Sequence, residues 1–212
     1  ENVQLLVTPE ARGLLVNFLN GPDEAANITL FSPQGKIVRR YWHSGHIHHM
    51  LIDDLNRDGF PEVYLGGMAN FYHAADVVVL DPRNFSGASL EIPERQLLGF
   101  GPPVELARLI LPRTLLSQHL AKYSTISGLR RTGDELAVDV EECPGCGNTS
   151  TSSYFRFDGS LRVLDVKPAD FTPAAYQLAF QSGLLSTLWD PRELDEMRKV
   201  RYLAGSPLRA SK

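Results

Sequence analysis

His48-His49-Met50-Leu51-Ile52-Asp53-Asp54-Leu55-Asn56-Arg57-Asp58-Gly59-Phe60-Pro61-Glu62-Val63-Tyr64-Leu65 reads as a strand, an acidic turn and a second strand. The flanks are rich in Leu, Ile, Val and Tyr, the residue types that suit a pleated, half-buried surface. The turn carries oxygen-bearing side chains at alternate positions: Asp54, Asn56 and Asp58. Gly59 permits the sharp, positive-φ bend such a turn needs. A hard cation such as calcium takes six to eight oxygens, and alternate side chains converging on one point can supply them. Asp54, Asn56, Asp58, the carbonyl of Phe60 and Glu62 are therefore the expected calcium ligands, with Asp53 as an outer support. The loop is not an EF-hand. Its flanks are strands, and Leu65 stands at the twelfth position, where an EF-hand has its bidentate Glu.

Strand signals continue on both sides. Asn27-Ile28-Thr29-Leu30-Phe31 enters Ser32-Pro33-Gln34-Gly35, and Lys36-Ile37-Val38-Arg39-Arg40-Tyr41-Trp42 leaves it, the pattern of an antiparallel hairpin. Val77-Val78-Val79-Leu80 suggests a strand buried on both faces. Further strands are expected at 105–111, 123–130, 135–141, 153–157 and 161–166. Asp158-Gly159 has the signature of a two-residue hairpin loop. The C-terminal part changes character. Thr172-Pro173 opens one short helix. Asp190-Pro191-Arg192-Glu193 opens a second with an N-cap Asp, an N1 Pro and an N3 Glu. Leu194, Met197, Val200 and Leu203 form its apolar stripe, which is expected to dock on the β core. Gly205-Ser206-Pro207 ends it.

The expected fold is thus a single mainly β, antiparallel domain over 1–212, built of propeller-like hairpins or a β-sandwich. A helical segment at 172–204 packs on its sheets. The stretch Asp54-x-Asn56-x-Asp58-Gly59-x-x-Glu62, followed by Val63-Tyr64-Leu65-Gly66-Gly67, resembles the FG-GAP or VCBS repeat, the calcium-loop hairpin of integrin α-subunit propellers. The resemblance covers 42–81. It implies a propeller-blade hairpin with Asp54, Asn56, Asp58, Phe60 and Glu62 as calcium ligands. One such loop is present, whereas a full propeller usually shows several.

Two other clusters carry metal-ligating residue types. His43, His46, His48 and His49 precede the loop and His73 follows it. On a strand, His46 and His48 face the same way and can pair on a transition metal. The alternative is that the histidines pack or orient the hairpin. Cys143-Pro144-Gly145-Cys146 is open to three readings: a small-loop disulfide, half of a zinc site, or a redox pair. Its Gly- and Pro-rich surroundings read as a turn.

Composition narrows the function classes. The 212 residues are 43% hydrophobic and 22% charged, with a formal net charge of -4. No Lys/Arg block offers a nucleic-acid or anionic-membrane surface. No apolar run approaches the ~20 residues that span a bilayer. The chain starts at Glu1 without the charged and apolar regions of a signal peptide, which suggests a processed product or a fragment. These readings lead to a calcium-binding, non-catalytic binding or scaffold module of an extracytoplasmic protein, meeting a protein or glycan ligand. The alternative is a metal-dependent hydrolase or carbohydrate-active enzyme that uses the histidine cluster.

Overall fold

The structure, a computed structural model, describes residues 3–8, 12–18, 25–70, 74–89, 104–110, 124–142, 152–161 and 163–167. They contain thirteen strands and no helix. The helices expected within 172–204 and the cysteines Cys143 and Cys146 lie outside the described residues.

Three antiparallel sheets follow one another along the chain. The first is β1 (Val3–Val7), β2 (Arg12–Phe18), β3 (Ala26–Phe31) and β4 (Ile37–His43). The second is β5 (Gly45–Asp53), β6 (Glu62–Ala69), β7 (Ala74–Leu80) and β9 (Glu105–Ile110). The third is β10 (Ser124–Thr132), β11 (Glu135–Glu142), β12 (Ser152–Phe157) and β13 (Val163–Lys167). The sequence gives no sign of β8 (Gly87–Ala88), which follows β7 in the chain but joins the first sheet, pairing in parallel with β4. The described residues close neither a barrel nor a propeller.

Alternation places each face. Leu6, Leu15, Ile28, Leu30 and Tyr41 of the first sheet meet Ile47, Met50, Val63, Leu65, Val78 and Leu80 of the second, with Phe85 between them. The opposite face of the second sheet carries Tyr64, Gly66, Val77 and Val79. It packs on the third sheet, where a Cβ on Gly66 would stand 2.9 Å from Cγ2 of Ile126. The middle sheet is thus covered on both faces, which is why Val77 to Leu80 are all apolar.

The β3–β4 hairpin turns where expected, with Gly35 at φ 76° donating to the Ser32 carbonyl at 2.9 Å. The β12–β13 turn differs from the two-residue loop that Asp158-Gly159 suggests. Leu161 N–H donates to the Asp158 carbonyl at 2.8 Å, and Leu161 itself takes φ 59°. Gly159 serves another purpose. A Cβ there would stand 2.2 Å from the Leu55 carbonyl oxygen, so this turn rests directly on the acidic loop.

Candidate functional site

The acidic loop joins β5 to β6 and folds around its own side chains. Asp58 N–H donates to Asp54 Oδ1 at 3.0 Å and to Asn56 Oδ1 at 2.9 Å. Gly59 N–H donates to Asp54 Oδ2 at 3.0 Å, and Phe60 N–H to Asp58 Oδ1 at 2.9 Å. Arg57 at φ 59° and Gly59 at φ 90° supply the two left-handed residues that curl the chain. Each carboxylate oxygen has a second lone pair, so accepting one N–H leaves it able to bind a cation.

Glu62 starts β6 and is buried, with 4% of its surface exposed. Its Oε1 accepts from Asn56 Nδ2 at 2.8 Å and its Oε2 from the Tyr64 hydroxyl at 3.1 Å. Burial pushes its pKa up to about 7; the Tyr64 hydrogen bond opposes the shift, and the charges of Asp58 and Asp54 add to it. Tyr64 shares a face with Glu62 through the two-residue period of the strand, so this partner was within reach of the sequence.

The expected ligands Asp54, Asn56, Asp58 and Glu62 are therefore brought into one hydrogen-bonded loop. They do not form a closed coordination shell. Among the described residues, no three His, Cys, Asp or Glu side chains are grouped closely enough to hold a metal. By donor chemistry the residues fit a hard cation: all the side chains expected to bind it offer oxygen, and three are acids.

The third sheet frames the loop. Asp53 faces Glu62 across the β5–β6 pair and also pairs with Arg131 of β10, which ties the base of the loop to the third sheet. Arg57 pairs with Asp134 in the β10–β11 turn. A shallow cleft beside the loop is lined by Asp58, Phe60, Glu62, Asp81 and Arg83. The Arg83 guanidinium stacks 4.4 Å from the Phe60 ring centroid and donates to both Asp81 oxygens.

The histidines divide into separate groups. His46 and His48 stack with ring centroids 6.0 Å apart, next to a β-bulge between Ile47 and His49. They sit near the start of β5 and the loop follows its end, about 20 Å along the strand from His46 at 3.3 Å per residue. Partial burial lowers the pKa of His48, and the charge of His46 lowers it further. His43 belongs elsewhere. It is buried between the first and second sheets, with Nε2 3.1 Å from Asp76 Oδ2. Arg108 Nε donates to the same oxygen at 2.7 Å. Burial alone would raise Asp76, but Arg108 and His43 outweigh it and hold its carboxyl below the usual range. Nothing in the spacing of residues 43, 76 and 108 announces this cluster. It exists because three strands from two sheets converge. His73 lies outside the described residues.

No family model matches the chain, and no curated protein matches it in sequence.

Proposed function

We propose that this chain is a calcium-stabilised, non-catalytic binding or scaffold module. One ion would be held by Asp54, Asn56, Asp58, the Phe60 carbonyl and Glu62. The observation that carries the reading is Glu62, a buried carboxylate beside Asp54 and Asp58 with its pKa pushed up to about 7. A divalent cation is the natural counter-charge for three acids gathered on one turn. Its contribution is structural: it would fix the β5–β6 hairpin against the two turns of the third sheet that rest on it. Propeller-like packing of the hairpins and a C-terminal helical cover complete the proposed architecture. An extracytoplasmic location fits, because calcium modules outside the cell work at ~10⁻⁴–10⁻³ M. The ligand of such a module would be a protein or a glycan.

Thermal unfolding with excess calcium and with EDTA tests the site. At free calcium about 100 times the dissociation constant, linkage adds about 2.7 kcal/mol of stability. Asp54→Ala also strips the acceptors of Asp58 and Gly59 N–H, so its own stability falls. The decisive quantity is the difference between the calcium and EDTA curves, which vanishes in the variant. A wild type indifferent to millimolar calcium would overturn the reading.

The pH dependence has a definite sign. The folded pKa of Glu62 is about 7, above its ordinary 4.5. The stability this gives is fully present below about 4.5 and lost as pH rises through 7, up to about 3 kcal/mol. The calcium-free protein therefore gains stability on acidification from pH 7 to 5. Calcium must displace the proton, so its affinity climbs with pH up to about 7 and then levels. Isothermal titration at pH 5.5, 6.5 and 7.5 checks this. Glu62→Gln should flatten the profile, and an unchanged pH dependence in that variant would remove Glu62 from the site.

A further inference from the structure

Ile47 and Met50 are three residues apart on β5, yet both are buried in the core shared with the first sheet. Strict alternation would send them to opposite faces. The bulge between Ile47 and His49 resolves this by inserting one extra residue, His48. Bulges re-aim side chains, and this one leaves His46, His48 and His49 to the other side of the strand.

The three rings do not share one role. His49 hydrogen-bonds to the Ile126 backbone in β10 and lies near Asp139. His46 and His48 lie side by side, with ring planes 10° apart and centroids 6.0 Å apart. The χ2 torsion of histidine is broad. A nitrogen of each ring can therefore turn to one ion at the ~2.0–2.1 Å of a metal–imidazole bond.

Among the described residues, no third His, Cys, Asp or Glu joins the pair. Met68 supplies the third donor. It is the register partner of His46 on β6. Residues directly opposite in this way share a face, with Cβ atoms about 4.5–5.5 Å apart. The backbones close in on both sides of the pair. A Cβ on Gly45 would stand 2.0 Å from the Met68 carbonyl oxygen, and one on Gly67 would stand 1.7 Å from the His46 carbonyl oxygen. His48 is exposed, and His46 and Met68 are half-buried, so an ion can enter from solvent. Burial and the charges of His46 and His49 all disfavour protonation of His48. The neutral ring, which is the form that binds a metal, is thereby favoured.

We propose that His46, His48 and Met68 form a second metal site, distinct from the acidic loop and suited to Cu(I). Donor chemistry selects the ion. A thioether favours Cu(I), and imidazole also suits copper. Calcium takes oxygen donors and has none here among the three side chains. The inference does not rest on the calcium reading.

The test uses the full chain carrying Cys143→Ser and Cys146→Ser, because thiolates compete for Cu(I). The protein is titrated with Cu(I) without oxygen, against the coloured chelator bicinchoninate. Circular dichroism first confirms that each further variant keeps its β signal. One equivalent of Cu(I) should be retained, and His46→Ala and His48→Ala should each weaken it roughly tenfold or more. His48 is exposed, so its variant reports even if His46→Ala fails to fold. Met68→Leu, a swap of similar volume, should weaken Cu(I) roughly tenfold and leave Zn(II) binding nearly unchanged. Asp54→Ala should not alter Cu(I) affinity, which separates failure here from failure at the acidic loop. A parent chain that yields all its Cu(I) to the chelator overturns the proposal. So does an affinity unchanged in His48→Ala, which places the ion elsewhere, or unchanged in Met68→Leu, which removes the reason for copper.

Discussion

Asp76→Ala is expected to lower the unfolding free energy by about 3–5 kcal/mol, the cost of leaving a buried charge without its partner. Asp76 and His43 are fully buried and Arg108 is 3% exposed. One carboxylate oxygen takes both the Arg108 guanidinium and the His43 ring, and Asp76 Oδ1 has no hydrogen-bond partner among the described residues. Removing the carboxylate therefore takes the ion-pair partner at residue 76 from a guanidinium buried between two sheets. The attraction also has a pH signature. The Asp76 pKa is depressed, so its contribution is present above about pH 4 and lost as pH falls through the folded value. Urea denaturation measures the effect. Asp76→Leu combined with Arg108→Met should recover much of the loss, because an apolar pair of similar volume has no charge to strand. A single-variant loss under about 1 kcal/mol would mean that water reaches the cluster.

Gly67→Ala should cost about 3 kcal/mol or more, beyond the usual range for overpacking. A Cβ at Gly67 would stand 1.7 Å from the His46 carbonyl oxygen and 2.8 Å from its carbon. Both are backbone atoms beside the β5 bulge, so the two strands must separate. Gly66 provides the control. Its Cβ would meet Cγ2 of Ile126 at 2.9 Å, a side chain that can shift, and about 1 kcal/mol is expected. Because β5 and β6 carry the acidic loop, Gly67→Ala should also weaken the proposed calcium binding, read by titration alongside urea denaturation. Equal effects of the two substitutions would show that the close approach at His46 is not a constraint.

Strand existence was legible because alternation and turn chemistry are local. Ser32-Pro33-Gln34-Gly35, the acidic loop and the apolar run at Val77 each encode their own geometry within a few residues. Their partners were less so. Gly66-Gly67 gives no hint of phosphate-loop spacing, and its reason appears only when β5 lies alongside. Gly159 reads as a turn glycine but is required by the Leu55 carbonyl of a distant loop. Asp53 lies next to the loop in sequence, yet its ion-pair partner Arg131 is 78 residues away. The histidines were read as one cluster because they are neighbours in sequence, yet the fold buries His43 on Asp76 and leaves His46 and His48 on another strand. Long-range pairings of this kind are set by how sheets stack, which no short window of sequence records.

The short strand β8 has a consequence for the order of assembly. Every strand of the first sheet except this one precedes Gly45, and β8 arrives only at Gly87. During synthesis from the N-terminus, β1 to β4 emerge as a complete meander whose β4 edge still has open hydrogen-bonding groups. That edge waits while β5, β6 and β7 are made. It closes when Gly87 and Ala88 pair with Tyr41 and Trp42, as Phe85 enters the core shared by the first two sheets. The first sheet is therefore completed only after β7 has been made, while the second still awaits β9, so the nascent chain carries an exposed β4 edge until three of the four strands of the second sheet exist.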